Sequence, residues 1–131
     1  MTLRDLTIDS GAVEEGLIEK TVAPYVRYDT DRREVVLLPE ETSSLTRLAK
    51  IALYLLARRG WRYFKLKEPV LEEASPKEIA EAVRENRNTV RGDLQDLTRN
   101  SVIYRTNAGN YTVLPHVVPR MKKLIDTGDT G

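Results

Sequence analysis

Residues 87–100, "RNTVRGDLQDLTRN", hold side chains suited to one kind of chemistry. On a helix at 100° per residue, Asn88, Arg91, Gln95 and Arg99 gather on one side together with Gly92. Val90, Leu94 and Leu97 fall within about 60° of one another on the other side. Arg can bond guanine through two parallel hydrogen bonds, and Gln or Asn can do the same with adenine. A helix with such a bare polar face also fits the major groove of a duplex. Asp93 and Asp96 count against tight binding, since they place negative charge where phosphates would pass, unless Asp93 pairs with an Arg at the helix edge.

Other reactive groups find no companions. His116 is the only histidine and there is no cysteine, so no zinc site can be assembled and disulfides are ruled out. Glu14-Glu15 and Glu72-Glu73 are neighbours in sequence rather than carboxylates converging on one point, and they read as solvated charges. Asn107-Ala108-Gly109-Asn110 is a turn; a phosphate loop would need a following Lys-Ser/Thr and a helix. The run Trp61-Arg62-Tyr63-Phe64 reads as core and interface packing rather than as a stacking platform for bases. The expectation is a protein with no enzymatic activity, no metal, no cofactor and no identifiable small-molecule ligand.

A chain of 131 residues suits one compact domain with terminal additions. Hydrophobic residues at 40% suffice for a core, and charged residues at 31% suit a soluble surface. No apolar run approaches the roughly 18 residues of a membrane span. The N-terminus also lacks the basic-then-apolar pattern of a signal peptide, so a cytoplasmic protein is expected. The net charge of +1 conceals an asymmetry. Residues 1–44 carry 5 Lys/Arg against 10 Asp/Glu, and residues 45–131 carry 16 against 10. The basic excess lies in the part that contains the 87–100 helix, which fits a polyanionic partner. With 14 Arg against 7 Lys, no Cys and one Gln, the composition points to a thermophilic source.

The elements that must position this helix follow from periodicity and caps. A weak helix spans 10–22, with Val13, Leu17, Ile18 and Val22 along one side. A β-hairpin follows, with strands 25–28 and 34–38 around Asp29-Thr30-Asp31-Arg32. The strongest helix covers 45–60, capped by Ser43 or Ser44 and striped by Leu45, Leu48, Ile51, Ala52, Leu55 and Leu56. Residues 65–74 read as a linker centred on Pro69. Ser75-Pro76-Lys77-Glu78 is a capping box with proline at the first helical position, and Ile79, Ala80 and Val83 face inward from the short helix it opens. Asn86 caps the 87–100 helix. A second hairpin spans 102–114, and a last helix, about 116–126, aligns Val117, Met121, Leu124 and Ile125. The tail "TGDTG" is expected to be disordered.

The order helix (45–60), short helix (76–83), turn, helix (87–100), β-hairpin (102–114) resembles a winged helix-turn-helix. In "SPKEIAEAVRENRNTVRGDL", Glu78-Ile79-Ala80 and Asn88-Thr89-Val90-Arg91 are similar to that family's two-helix core, and "NSVIYRT…NYTVLP" resembles its wing. The resemblance covers residues 45–114 and is of the small prokaryotic or viral transcriptional-regulator type. It departs at two places. The family usually has Gly and then an apolar residue at the inter-helix turn, where this chain has Arg84 and Glu85; Glu85 must point outward, or the turn differs by one residue. Where Gly normally ends the third helix stands Asn100-Ser101, and Asn tolerates a left-handed C-cap better than most residues.

The resulting expectation is an α+β, mainly α fold. Residues 1–43 form an acidic helix-and-hairpin extension for interaction or dimerisation, 44–114 the winged helix-turn-helix, and 115–131 a C-terminal helix and tail. The resemblance implies sequence-specific binding of double-stranded DNA, as in transcription regulation. Arg91 and Gln95 lead the base contacts, joined by Asn88, Arg99, Arg87 and Thr89. Arg105 and Asn107 of the wing, and Lys77 at the short helix, lie at the phosphates or minor groove. A homodimer is expected, because Val117/Met121/Leu124 and Leu17/Ile18 lie outside the three-helix core and need a partner. The alternative is a winged-helix module that binds protein and reads no DNA.

Overall fold

The structure, a computed structural model, describes Leu3 and residues 10–127; the tail beyond Thr127 lies outside the described residues. It is α+β and mainly helical, with two small antiparallel hairpins. The first part comprises helix α1 (Ser10–Val22), strands β1 (Val26–Asp29) and β2 (Glu34–Leu37), the single turn α2 (Pro39–Thr42) and helix α3 (Arg47–Arg59). Then come α4 (Pro76–Val83), α5 (Arg87–Arg99), β3 (Ile103–Arg105), β4 (Tyr111–Val113) and α6 (Val118–Thr127). Among the described residues no helix is long and apolar enough to cross a membrane.

The hub is α3. Its cap is Thr46, whose Oγ1 accepts from the Ala49 N–H at 3.1 Å, and not Ser43 or Ser44. The reason is α2: Pro39 starts a separate helical turn, and Ser43 closes it by donating to the Glu40 carbonyl at 2.7 Å. Every residue from Ala49 to Trp61, Lys50 apart, is buried, so α3 is wrapped on all sides rather than striped. It packs on α1, α4, α6, β2 and β4. Past Gly60 the chain tightens into a 3-10 turn to Tyr63. A Cβ at Gly60 would overlap the Tyr28 hydroxyl, which donates to the Ala57 carbonyl at 2.5 Å, so any larger residue there would have to displace that ring.

Three expectations are corrected by this packing. Val13 is 61% exposed, and α1 buries only Ile18 and Val22 outright among its apolar residues, with Leu17 half-buried. The apolar face of α6 needs no second copy: Val117, Met121, Leu124 and Ile125 join the main core cluster, and α6 lies on α3 and α1. The dimerisation argument therefore loses its premise at both apolar faces.

The third correction concerns the acidic residues read as solvated. Glu14 is ion-paired to Arg59 and accepts from the Tyr63 hydroxyl at 2.5 Å, which fastens α1 to the end of α3. Burial pushes the Glu14 carboxyl up, but the bonds from Arg59 and Tyr63 outweigh it, leaving the group below its ordinary value. The Tyr63 phenol is correspondingly pushed up to about 12, by burial first and then by Glu14. Glu72 pairs with Arg62 at 3.2 Å. Buried Arg58 clamps the 65–74 linker through the carbonyls of Leu71 (2.8 Å), Glu72 (3.0 Å) and Glu73 (2.7 Å). The linker then ends in a fully buried Ala74, which exchanges backbone hydrogen bonds with Tyr111 at 2.8 and 2.9 Å. Among the described residues no buried side-chain nitrogen or oxygen lacks a partner, as expected where charges are taken out of water.

Candidate nucleic-acid interface

Local sequence sets the start of both helices that would carry the site. Ser75 Oγ accepts from the Glu78 N–H and Glu78 Oε1 accepts from the Ser75 N–H, each at 3.1 Å, with Pro76 in the first turn. This reciprocal cap satisfies two otherwise unpaired donors. Helix α4 stops at Arg84, which adopts a left-handed conformation (φ 57°, ψ 46°), and the Glu85 N–H returns to the Ala80 carbonyl at 3.1 Å. That is the bond of a Schellman stop. Glu85 points outward. Asn86 then opens α5, its Oδ1 accepting from the Asn88 N–H at 2.8 Å.

Helix α5 buries Val90, Leu94 and Leu97 completely. Asp93 is 6% exposed and takes a two-point ion pair from Arg47 of α3, one contact being Nη2 to Oδ1 at 3.2 Å. Asp93 therefore lies on the packed side of α5, with its charge paired to Arg47. The bond from Asp93, then its charge and that of Glu85, hold the Arg47 guanidinium above its ordinary range. At the far end the left-handed residue is Ser101 (φ 58°), not Asn100, which keeps φ −85° and ψ 8°. Asn100 instead donates through Nδ2 to the Asp96 carbonyl at 2.8 Å, and its own carbonyl accepts from Arg120 of α6 at 3.0 Å.

Arg87, Asn88, Arg91, Gln95 and Arg99 are all exposed on α5, while Thr89 is half-buried at its edge. Among the described residues Arg87, Arg91 and Gln95 have no side-chain hydrogen bond or ion pair, whereas Arg99 pairs with Asp96 at 3.3 Å. A Cβ added at Gly92 would meet nothing within 4 Å, so no neighbouring helix accounts for that glycine. Arg105 and Asn107 are exposed on the β3–β4 hairpin, which packs on α5 through β3. The hairpin turn closes through Thr106 and Asn110, with Gly109 at φ 81° under the Arg105 guanidinium. Lys77 is exposed near the start of α4, roughly 10 Å along that helix from Arg84 at 1.5 Å per residue. It thus stands apart from the α5 cluster, at the other end of α4.

Elsewhere a cleft of about 480 Å³, lined among others by Ile18, Val22, Val26, Tyr28, Tyr63 and Phe64, opens between α1, β1 and the 60–64 turn. Its residues lie far apart in sequence, and no local pattern announces it. Trp61 is buried with Tyr28 at 4.9 Å between ring centroids, while Phe64 remains 37% exposed at the cleft. His116 is exposed. No protein-family model, curated protein or solved structure matches this chain.

Proposed function

We propose that this chain is a winged helix-turn-helix protein that binds double-stranded DNA, with α5 in the major groove and the β3–β4 hairpin as the wing. The observation that carries the reading is the division of α5. One side is locked to α3 and α4 by three fully buried residues and the Arg47–Asp93 pair; the other presents Arg91 and Gln95 without internal partners. Donors held on a rigid element and left unspent are what base-edge readout needs. Support also comes from the order α3, α4, α5, β3, β4, which is the order the resemblance implies. The charge distribution agrees, since Asp93 is withdrawn from the exposed face. A regulator of transcription is the role such readout serves.

Selection of bound sequences from a random DNA pool tests this. An enriched motif is the expected result, and a palindrome would in addition show a dimer on two half-sites. A pool that stays random after repeated rounds would overturn the reading. A protein-binding module is then favoured by one observation, the apolar cleft with Phe64 exposed beside it. Retention on heparin that fades with rising salt separates the two, because polyanion binding is salt-dependent and apolar docking is not.

A further inference from the structure

We propose that Arg84 is an additional DNA contact, a phosphate-binding residue on the turn between α4 and α5; this rests on the DNA-binding reading above. Among the described residues three that are not glycine hold a positive φ: Arg33, Arg84 and Ser101. Each stands where the chain reverses, and there glycine would carry no Cβ penalty. Arg33 uses its side chain inside the molecule, donating from its guanidinium to the Pro69 carbonyl at 2.7 Å. Ser101 is small. Arg84 is large, charged and exposed, and its guanidinium has no hydrogen bond or ion pair among the described residues.

A cation near the C-terminal carbonyls of α4 is favoured by the helix dipole. That benefit does not require the left-handed position, since a Lys or Arg one turn earlier would gain it in ordinary helical geometry. The last turn of α4 contains no basic residue. The Schellman bonds at this turn are made by backbone N–H groups, which glycine or asparagine would supply equally, so they do not account for an arginine side chain here. Arg87 and Arg91 follow on the exposed face of α5, and the only acid between 84 and 92 is Glu85. Arg84, Arg87 and Arg91 are three exposed cations within eight residues of chain, a local positive charge that suits a duplex backbone. A contact of this kind orients the reading helix without reading sequence itself.

The test uses the full chain and two fluorescein-labelled duplexes, one carrying the enriched motif and one of mixed sequence. Arg84→Gly and Arg84→Asn both keep the left-handed turn and remove the charge; Arg84→Lys keeps the charge. Loss of one phosphate contact should lower the slope of log K against log salt by about one and weaken binding roughly five- to tenfold near 0.1 M salt, equally on both duplexes. Arg84→Lys should restore the slope. A merely structural Arg84 would change melting temperature without moving the slope. Parent-like affinity and slope in Arg84→Gly and Arg84→Asn, with Arg91→Ala still impaired on the motif, would overturn this inference and leave the DNA reading standing. A parent protein that binds neither duplex overturns both.

Discussion

Arg47 and Asp93 join the first turn of α3 to the middle of α5 through two guanidinium nitrogens, and they share the burial unequally: the Arg47 side chain is 44% exposed and that of Asp93 is 8%. The inequality sets the cost of breaking the pair. Arg47→Ala leaves a carboxylate buried without a partner, so it should lower stability by about 1–3 kcal/mol. Asp93→Ala leaves a guanidinium that water can reach, and Ala is the better helix former, so about 1 kcal/mol or less is expected. Chemical denaturation of the two variants checks the order. A larger loss in Asp93→Ala would mean that the pair is held together by something other than the burial of the acid.

Asn86 should matter to stability out of proportion to its exposure. Its Oδ1 satisfies the Asn88 N–H, one of the first-turn donors that α5 cannot pair internally. Asn86→Ala should cost about 0.5–2 kcal/mol, and Asn86→Ser much less. On the proposed DNA-binding reading, affinity should fall only mildly, because the exposed face of α5 is untouched. An unchanged melting curve for Asn86→Ala would show that the cap adds nothing to the fold.

Such caps were legible because both partners lie within three residues of each other, as in Asn86 with Asn88 and Ser75 with Glu78. The same is true of faces with a single apolar side, such as Val90, Leu94 and Leu97. What escaped the sequence depends on residues far apart. Glu14 and Arg59 are separated by 45 positions, and nothing local marks either as buried. Arg58 bonds the Tyr54 hydroxyl and Glu78, but the three carbonyls through which it holds the linker belong to the backbone, which no residue type announces. The α3 cap is ambiguous in sequence because three hydroxyl residues, Ser43, Ser44 and Thr46, compete within four positions, and only the turn opened by Pro39 decides among them. The α6 face looks unpartnered in sequence because nothing local shows that α3 is buried on every side and takes it up. As for the candidate interface, the polar face of α5 was readable, whereas the withdrawal of Asp93 by Arg47 depended on a contact across 46 positions.

Acid should unfasten α1. The Glu14 carboxyl is held below its ordinary value of 4.5 in the folded protein. A depressed folded pKa means that its stabilisation is fully present above the unfolded value and is lost as pH falls through the folded one. Melting temperature should therefore decline as the solution is acidified below about pH 4.5. Glu14→Gln should start lower at neutral pH and show a shallower decline. A parallel pair of profiles would show that Glu14 titrates alike in the folded and unfolded chain.

Gly92 lies mid-helix over open space. Gly92→Ala should raise stability by roughly 0.5–1 kcal/mol, because Ala loses less backbone freedom on forming a helix. Differential scanning calorimetry would register this as a rise of a few degrees. A fall in melting temperature would mean that the backbone at this point departs from a regular helix.

The face of α5 divides into residues whose loss should have different signatures. If Arg91 and Gln95 read base edges, Ala at either should cost about 1–3 kcal/mol on the enriched motif and flatten preference at particular positions. Arg105, exposed on the hairpin, should act as a phosphate contact, so Arg105→Ala should weaken all duplexes alike and lower the salt slope by about one. Leu94 lies on the opposite side of the same helix and is fully buried. Leu94→Ala should therefore cost on the order of 2–5 kcal/mol of stability, and whatever protein remains folded should keep its sequence preference. Titration of each variant against the motif and a mixed duplex, with melting measured in parallel, separates these behaviours. Normal folding and parent-like binding in both Arg91→Ala and Gln95→Ala would show that α5 is no reader, because among the described residues no other face presents unpaired Arg and Gln donors together.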